Sequence, residues 1–445
     1  MKKQTIYICT EIKNREYVSN IFLAMHSALR GYRVYLGTHA AIYALIRKKL
    51  KQDGIFLDKS TQPTGRMQWN RARMEYYCIL DPELSPIMPE ELLIEGFMSR
   101  IYSGSQDLID RFFVVGKSTA KAAQANIKNS SSIVRITGWP RIDIWKTHGP
   151  KIYQKEIDTI WTKHGEFLLF LSSFGNIRDP ELTKRLDNAD PINVTLVNDF
   201  QLASLQYSNF KKMIKMLRDW DSNSLIPKVI VKVHPSEPIS EWIRAIKGLK
   251  KTIIVKNGDV SPWIIASLGV IHHGSTGAIE AHYAKKPVLI LKDLTVPFLL
   301  PIASGISRFE IRHDNYFEGF DFSKMQNFDF DESVLSNAIT DPTTSATTLI
   351  IDNFDDLRAK SSNPHNRAQL IYSQINPKSV RRAIGLLRDE IYWKFGRTNI
   401  NPQLHFVPGG LDRKKIKMVS RINSEFGRIR VKRMTINLWE FDTQS

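Results

Sequence analysis

Cysteine is scarce in this sequence: there are two in 445 residues, Cys9 and Cys78. Both lie in apolar, strand-like runs, and two cysteines placed in this way predict neither a disulfide framework nor a cluster of metal ligands. We expect buried, reduced thiols, which agree with a cytoplasmic location. We also expect a protein that uses no metal and no other cofactor.

Long hydrophobic runs are absent too. The apolar stretch from Phe167 to Leu171 is typical of the longest ones, and it is far shorter than the roughly 20 residues that a membrane-spanning helix needs. Near the N-terminus, Thr10 and Glu11 interrupt the apolar run before it reaches the length of a signal-peptide core. The sequence therefore predicts neither a transmembrane nor a secreted protein.

Acidic residues are outnumbered, with 45 Asp and Glu against 63 Lys and Arg, for a net charge of +18. Such an excess favours an anionic partner. Between Arg413 and Arg433 there are nine basic residues and one Glu, interleaved with apolar residues. This pattern suits the anionic face of a membrane, although a solvated basic terminus is an equal alternative. We find no nucleic-acid-binding motif and expect no nucleic-acid partner.

What is present is the pattern of an α/β protein. Hydrophobic residues make up 42% and charged residues 24%, and β-branched runs that are apolar on both faces alternate with helical stretches, which predicts parallel sheets covered on both sides. Two such halves follow one another. We predict domains over residues 1–150 and 151–345, then a loop and crossing helix over 346–411 and a basic tail over 412–445.

The crossing helix and the loop before it are predicted from two different features of the sequence. Apolar residues spaced by three or four from Val380 to Phe395 predict an amphipathic helix. Residues 336–367 are rich in Asp, Asn, Ser, Thr and Pro, which favours a loop.

The strongest local signal is the stretch "IHHGSTGAIEA". Apolar residues lead into a turn of Gly274, Ser275, Thr276 and Gly277, where a helix should begin. Free backbone N–H groups and the helix dipole make such a start a site for an anion, and Glu280 is placed to accept from sugar hydroxyls. An ordinary helix cap is the alternative. The pattern is neither a dinucleotide fingerprint nor a P-loop.

The stretch "VIVKVHPSEP" is a strand that ends at a histidine. Alternation puts Lys232 and His234 on one side of it, and Pro235 fixes the turn that follows. Because ligands of open α/β sheets bind beyond the carboxyl ends of strands, we interpret His234 as a phosphate ligand. The alternative is a histidine that is satisfied by backbone groups.

Carboxylates follow two strands of the first half. Asp81 and Glu83 in "YYCILDPELSP" are candidates for a general base or a nucleophile, with a solvated turn as the alternative. Glu11, Arg15 and Glu16 come just after the first strand. They are candidates for binding an acceptor, or for a structural ion network.

The order of these motifs resembles a known family. It is similar to the bacterial surface carbohydrate biosynthesis proteins, which have the GT-B glycosyltransferase fold, from about Thr5 to about Leu291. In that family the stretch around Asp81 reads Asp-Glu-Glu-Gly, so Asp81 and Glu83 match while Pro82 departs. The family's Arg-Pro-His-Pro has Lys232 in place of its arginine, which loses the bidentate fork. The matching stretches are "TEIKNREYVSNIFLAMHSALRGYRVYLG", "LDPELSP", "RFFVVGKSTAKAA", "ITGWPRIDIW", "FLLFLSSFGN", "VIVKVHPSE" and "IHHGSTGAIEAHYAKKPVLI".

The resemblance implies two Rossmann-like domains that face each other across a cleft, to which the apolar spacing described above adds C-terminal helices. The N-terminal domain would bind a carbohydrate or lipid-linked acceptor, and the C-terminal domain a nucleotide-sugar donor. The His-Pro motif is similar to that of transferases that use CMP-activated acidic sugars, and to that of CDP-glycerol glycerophosphotransferases; nucleotide-sugar 2-epimerases share the fold. The implied donor residues are Ser172, Ser173, Lys232, His234, Pro235, Gly274, Ser275, Thr276, Gly277 and Glu280.

Overall fold

The computed structural model describes residues 3–47, 53–82, 88–102, 104–127, 129–174, 199–224, 226–235, 237–295, 305–307, 309–311, 335, 338–339, 344–360, 407, 410–435 and 437–443. The chain divides into two compact units. The first comprises Met1–Pro86, Glu90–Ile144 and Ser336–Ser445, and the second Ile87–Pro89 and Trp145–Leu335. Within these described ranges, no helix combines the length and the apolar character that a membrane crossing requires.

The first unit alternates strands with helices. Its strands are β1 (Thr5–Thr10), β2 (Arg33–Thr38), β3 (Ile55–Asp58), β4 (Tyr76–Leu80), β5 (Arg111–Val114), β6 (Val134–Ile136), β13 (Ile429–Thr435) and β14 (Leu438–Thr443). Its helices are α1 (Lys13–Leu29), α2 (His39–Ile46), α3 (Thr64–Arg71), α4 (Glu90–Arg100), α5 (Lys117–Asn126), α6 (Ser130–Ile133), α7 (Pro140–Asp143), α13 (Ala346–Lys360) and α14 (Arg413–Ser420).

One sheet organises the first unit, with the strand order β13-β14-β2-β1-β3-β4-β5-β6. β1 to β6 are parallel, and the five residues Ile6–Thr10 of β1 are all buried, as expected for a strand with both faces covered. The chain moves from β1 to β2 in one direction and from β3 to β6 in the other. The carboxyl ends of β1 and β3 therefore mark the point where a ligand crevice forms in such sheets.

The C-terminal segment is part of this sheet. The sequence predicts a basic tail over residues 412–445, yet β14 pairs antiparallel with β2, and β13 pairs with β14. Leu438, Trp439 and Phe441 are at most 4% exposed, and the Trp439 indole donates to the Leu411 carbonyl at 2.9 Å. The prediction rested on charge and overlooked the largely apolar run "LWEF", all of whose residues are buried in β14.

A helix occupies the middle of the stretch predicted as a loop. The prediction is wrong for Ala346–Lys360, which form α13. Asp143 caps the helix from a distant part of the chain, because its carboxylate accepts from the backbone N–H groups of Ala346 and Thr347 at 3.0 and 2.9 Å. The buried face shows helical spacing: Ile350, Ile351, Phe354 and Leu357. The helix predicted over 380–395 lies outside the described residues.

The second unit contains a parallel sheet of its own. Its strands are β7 (Phe167–Leu171), β8 (Lys228–Lys232), β9 (Thr252–Val255), β10 (Gly269–His272), β11 (Val288–Leu291) and β12 (Phe309–Ile311), and its helices are α8 (Gly149–His164), α9 (Asp199–Ser222), α10 (Ile239–Ala245), α11 (Ser261–Ala266) and α12 (Gly277–Tyr283). The strand order is β12-β11-β10-β7-β8-β9. A π-helical turn, Ile144–His148, precedes α8.

The core of the second unit is rich in aromatic residues. Trp220, Trp242, Phe170 and Phe174 are at most 2% exposed and belong to one apolar cluster. The switch in strand direction falls between β7 and β10. The predicted fold class, α/β with two parallel sheets in succession, is confirmed.

Candidate functional site

The predicted donor residues gather at one edge of the second sheet. Ser172 and Ser173 follow β7, the turn at Gly274 follows β10, and His234 lies two residues after β8. Since β10, β7 and β8 are neighbours and parallel, their carboxyl ends meet at the switch point. Open α/β sheets bind their ligands at this point.

A buried carboxylate holds this edge together. Glu237 is 1% exposed and accepts from the Ser172 hydroxyl at 2.8 Å, the Trp242 indole at 2.7 Å and the Phe174 backbone N–H at 2.6 Å. The Ser172 hydroxyl oxygen in turn accepts from the His234 backbone N–H at 3.0 Å. Burial raises the pKa of Glu237 to about 7. Glu237 thus positions the ends of β7 and β8 relative to each other.

Lys232 differs from its predicted role. The side chain is buried, and its ammonium group donates to the carbonyls of Lys256, Asn257 and Gly258 at 3.0, 2.7 and 3.0 Å. An ammonium group has three N–H donors, so all of them are used within the protein. Burial lowers the pKa of Lys232 to about 8. Lys232 positions the loop after β9, and the prediction that it contacts the donor is corrected.

Two histidines at the end of β10 are neutral supports of the turn. The Gly274 N–H donates to Nδ1 of His272 at 3.3 Å, which leaves the proton on Nε2, 2.9 Å from the Ser307 hydroxyl. Nε2 of His273 accepts from the Ser173 N–H at 3.1 Å, and its ring stacks on Phe174 at 4.3 Å. Burial lowers the pKa values of His272 and His273 to about 3 and 4.

The turn itself is tight and partly open. Gly274 has φ +112°, a conformation that favours glycine. A Cβ atom on Gly277 would lie 2.6 Å from Cδ1 of Leu171, so a larger residue here would require the Leu171 side chain to move. The Ser275 hydroxyl accepts from the Gly277 N–H at 3.2 Å. Ser275 and Thr276 are half-buried, which leaves part of each side chain accessible.

The remaining predicted donor residues differ in exposure. His234 and Pro235 are exposed, whereas Glu280 on α12 is 5% exposed. Burial, together with the charges of Asp259 and Glu280, raises the pKa of the Tyr153 phenol. Glu280 is therefore less accessible to a ligand than His234 and Pro235 are.

A cavity marks the switch point of the first unit. It has a volume of about 40 Å³ and lies where β1, β3 and β4 end. Its polar lining consists of Cys9, Arg15, Glu16, Ser19, Asn20, Asp58, Lys59, Trp139 and Arg141. Apart from Arg15 and Glu16, these residues were missed from the sequence. Asp58 and Lys59 could have been predicted as site residues, because Asp58 ends the strand "IFLD" and Lys59 follows it.

The predicted acceptor residues form an ion network beside this cavity. Glu16 accepts from the Glu11 backbone N–H at 3.0 Å, and the Lys59 ammonium contacts the carboxylates of both Glu11 and Glu16. Glu11 is exposed and does not line the cavity, whereas Arg15 and Glu16 do. For Glu11 and Glu16, these contacts therefore agree with a structural ion network, which was the alternative to binding an acceptor.

Asp81 is held in an ion pair. Its two carboxylate oxygens accept from Nε and Nη2 of Arg100 at 2.7 and 2.9 Å, and the carboxylate is 3% exposed. A bidentate pair of this kind occupies both oxygens of the carboxylate. The geometry thus assigns Asp81 to fixing the end of α4 and does not support its prediction as base or nucleophile. Glu83 lies outside the described residues.

The GT-B fold consists of two parallel-sheet α/β units. This chain has two such units, and each has polar groups at its switch point. No family model matches the sequence, and no curated protein matches it. Among solved structures, the chain is similar to Staphylococcus aureus MnaA with UDP, at 14% identity over 83% of this chain and 100% of that one, with a TM-score of 0.48. A Neisseria meningitidis UDP-GlcNAc 2-epimerase bound to UDP-GlcNAc shows 12% identity, covers 80% of this chain and 100% of its own, and has a TM-score of 0.46.

The wall teichoic acid polymerase TagF is similar at 12% identity over 80% of this chain and 90% of that one, with a TM-score of 0.47. The description of the fold rests on the two sheets themselves.

Proposed function

We propose that this protein is a GT-B-type glycosyltransferase. It moves a sugar, a CMP-activated acidic sugar as the first choice, from a nucleotide donor to a surface polysaccharide or lipid-linked acceptor. The observation that supports the proposal is the meeting of Ser172, Ser173, His234 and the turn at Gly274–Gly277 at one switch point. The choice of a nucleotide-activated sugar as the donor comes from the order of motifs, which resembles that of the family described above.

In this proposal His234 and the turn bind the donor phosphate. The exposed imidazole of His234 donates to a phosphate oxygen, and the hydroxyls of Ser275 and Thr276 donate from the opposite side. The His234 backbone N–H donates to the Ser172 hydroxyl at 3.0 Å, and this hydrogen bond fixes the backbone from which the imidazole extends. Donors that are fixed before the ligand arrives stabilise the negative charge of a leaving nucleotide. Glu280 binds the ribose.

In this proposal the acceptor binds at the surface of the first unit beside its small cavity. Arg15 and Arg141 supply positive charge there, and the Arg141 guanidinium lies 4.2 Å from the centre of the buried Trp139 ring. Asp81 is occupied by Arg100, so Glu83 remains the candidate base. The protein would work in the cytoplasm, at the inner face of the cytoplasmic membrane.

The membrane contact in this proposal is made by β13. Arg430, Lys432 and Arg433 on this edge strand are exposed. Together with Arg413, Val431 and Trp439 they line a cavity of about 470 Å³. Basic side chains around an indole suit anionic lipid headgroups.

The proposal is tested by thermal unfolding of the full-length protein with CMP, CDP, UDP, GDP and TDP. We expect the cytidine nucleotides to raise the melting temperature most. His234→Ala should weaken their binding by about 10- to 100-fold, as for the loss of one hydrogen bond to a charged group. The melting temperature without nucleotide should stay unchanged.

The matched control is Lys215→Ala, which removes an exposed cation from α9, away from the sheet edge. It should bind nucleotides as the wild type does. Equal protection of the wild type and His234→Ala would contradict the phosphate role, and no protection by any nucleotide would contradict the whole proposal.

Product analysis separates the related activities. A glycosyltransferase releases CMP from a CMP-sugar only when an acceptor is present. A glycerophosphotransferase would instead consume CDP-glycerol, and a 2-epimerase would convert its nucleotide-sugar without any acceptor.

A further inference from the structure

Three side chains with metal-ligating atoms meet at the carboxyl edge of the first sheet. Cys9 is near the end of β1, His39 opens α2 directly after β2, and Asp58 ends β3. β1 lies between β2 and β3, so the strand order brings the three together. Within the described part of the chain, their sulfur, nitrogen and oxygen atoms all lie within 4.8 Å of one another.

The separations are close to those of a tetrahedral metal site. A zinc ion with bonds of about 2.0–2.3 Å holds its ligand atoms about 3.3–3.8 Å apart. Nε2 of His39 lies 2.8 Å from Oδ1 of Asp58, where the imidazole N–H donates to the carboxylate. An ion that replaces this proton needs movements of about 1 Å, within the reach of side-chain rotations.

Asp58 is already oriented as a ligand would be. Its carboxylate is 0% exposed and accepts from the Tyr77 hydroxyl at 2.5 Å and the Lys59 backbone N–H at 2.8 Å. Hydrogen bonds to the carboxylate are a regular feature of metal sites, because they fix the ligand before the ion binds. His39 is 19% exposed in its side chain, and Cys9 is 4% exposed.

A space for a fourth ligand adjoins the cluster. The cavity of about 40 Å³ is lined by both Cys9 and Asp58, and this volume is sufficient for one water molecule. It also gives an ion a route to the two residues. Three protein ligands and one open position are the arrangement of zinc sites that bind an exchangeable water.

We propose that Cys9, His39 and Asp58 form a Zn²⁺ site. The thiolate of Cys9, Nε2 of His39 and the carboxylate of Asp58 bind the ion. The thiol proton and the Nε2 proton of the His39 imidazolium pass to solvent, and the bound imidazole is neutral with its remaining proton on Nδ1. Sulfur, nitrogen and oxygen ligands together select zinc or cobalt over magnesium or calcium. The sequence predicted no cluster around the cysteines, because His39 and Asp58 are distant from Cys9 along the chain.

The test uses the full-length protein, freed of metal by a chelator and then titrated with Co²⁺, a spectroscopic substitute for zinc. We expect one equivalent to produce a thiolate-to-cobalt charge-transfer band and the visible bands of tetrahedral cobalt, which Zn²⁺ then abolishes. Cys9→Ser should lose the charge-transfer band. Cys78→Ser is the matched control, because Cys78 is a buried thiol in β4, and it should keep the band.

Two further variants keep the test decisive if Cys9→Ser does not fold. His39→Gln should abolish the rise in melting temperature that Zn²⁺ gives the wild type, and Tyr77→Phe should weaken zinc binding by about 10-fold. No charge-transfer band in the wild type, or its loss in Cys78→Ser with retention in Cys9→Ser, would overturn the proposal. No nucleotide is added, so the result is independent of the proposed transferase.

Discussion

Glu237 shows how one buried carboxylate connects the elements of the donor edge. Two donors from the segment after β7, Ser172 and Phe174, and one from α10, Trp242, point at it. Removing the acceptor would leave those donors buried without a partner, at about 1–3 kcal/mol for each group. Burial nevertheless disfavours the charged form, and the pKa of Glu237 is raised to about 7.

This raised pKa gives a pH-dependent prediction for Glu237→Gln. Between the ordinary pKa of 4.5 and the folded value of about 7, the native state binds the proton more tightly than the unfolded chain. The contribution of this proton to the free energy of unfolding is therefore complete below about pH 4.5. About 3 kcal/mol of it is lost as the pH rises to about 7. The variant should be less stable than the wild type near pH 5, and this gap should shrink or reverse near pH 8, as measured by urea unfolding.

Glu241→Gln is the matched control, since this glutamate lies four residues further along the chain, on α10, in an ion pair with Arg244 at the surface. The difference in the free energy of unfolding between Glu241→Gln and the wild type should not change between pH 5 and pH 8. Parallel curves for Glu237→Gln and the wild type would show that Glu237 stays charged throughout.

At the residue scale the sequence could locate the candidate site, but not the contacts within it. His234, Ser275 and Thr276 could be found because each follows a strand, and strand ends of parallel sheets meet. The contact of Lys232 could not be predicted, because strand alternation gives the side of the sheet and leaves open which loop lies there. Glu237 lacked a signal, since its three partners come from segments up to 65 residues away.

At the scale of elements, β13 is an edge strand that carries positive charge. Exposed Arg430, Lys432 and Arg433 follow one another on it, and charged side chains on an edge strand prevent pairing with other chains. The same charges are available for an anionic surface. Because β13 pairs with β14, binding is best tested by changing charges and leaving the strand in place.

We predict that Arg430→Thr, Lys432→Thr and Arg433→Thr, combined in one variant, weaken binding to vesicles that contain phosphatidylserine. At about 1 kcal/mol for each charge near the membrane, the partition coefficient should fall by about 100-fold. Threonine retains a high strand propensity, so the hairpin should remain folded. Co-sedimentation at low and high salt is the measurement, and added salt should weaken the wild type's binding.

The matched control removes Lys211, Lys212 and Lys215 in the same way, because all three are exposed on α9. It should bind as the wild type does. An equal loss in both variants would mean that net charge, and not β13, governs the binding.

Element prediction failed where a helix depends on distant residues. The composition of 336–367 favours a loop, yet α13 forms within it. Asp143 supplies its N-terminal cap from about 200 residues away, and the buried face of Ile350, Phe354 and Leu357 packs within the first unit. Local composition does not report either contribution.

At the scale of the whole molecule, the chain returns to complete its first unit. The order of motifs predicted two α/β halves in succession, and both sheets are present. What the linear pattern does not contain is the assignment of Ser336–Ser445 to the first unit, because strand pairing between β2 and β14 joins residues about 400 positions apart.

Deleting residues 429–445 should therefore unfold the first unit and spare the second. Leu438, Trp439 and Phe441 are at most 4% exposed, and each buried apolar side chain of this size contributes about 2–3 kcal/mol. Their combined loss approaches the whole stability of a typical domain. Calorimetry should show one of two unfolding transitions disappear, and limited proteolysis should leave a fragment within residues 145–335.

The control is Met434→Ser, which changes a 39% exposed residue of the same hairpin and should preserve both transitions. A truncated protein with both transitions would show that β14 is dispensable to the first sheet. Because the proposed donor site belongs to the second unit, the truncated protein should still gain thermal stability from the nucleotide that stabilises the full-length chain. Loss of that effect would mean that the first unit is needed for binding at the switch point of β7 and β10.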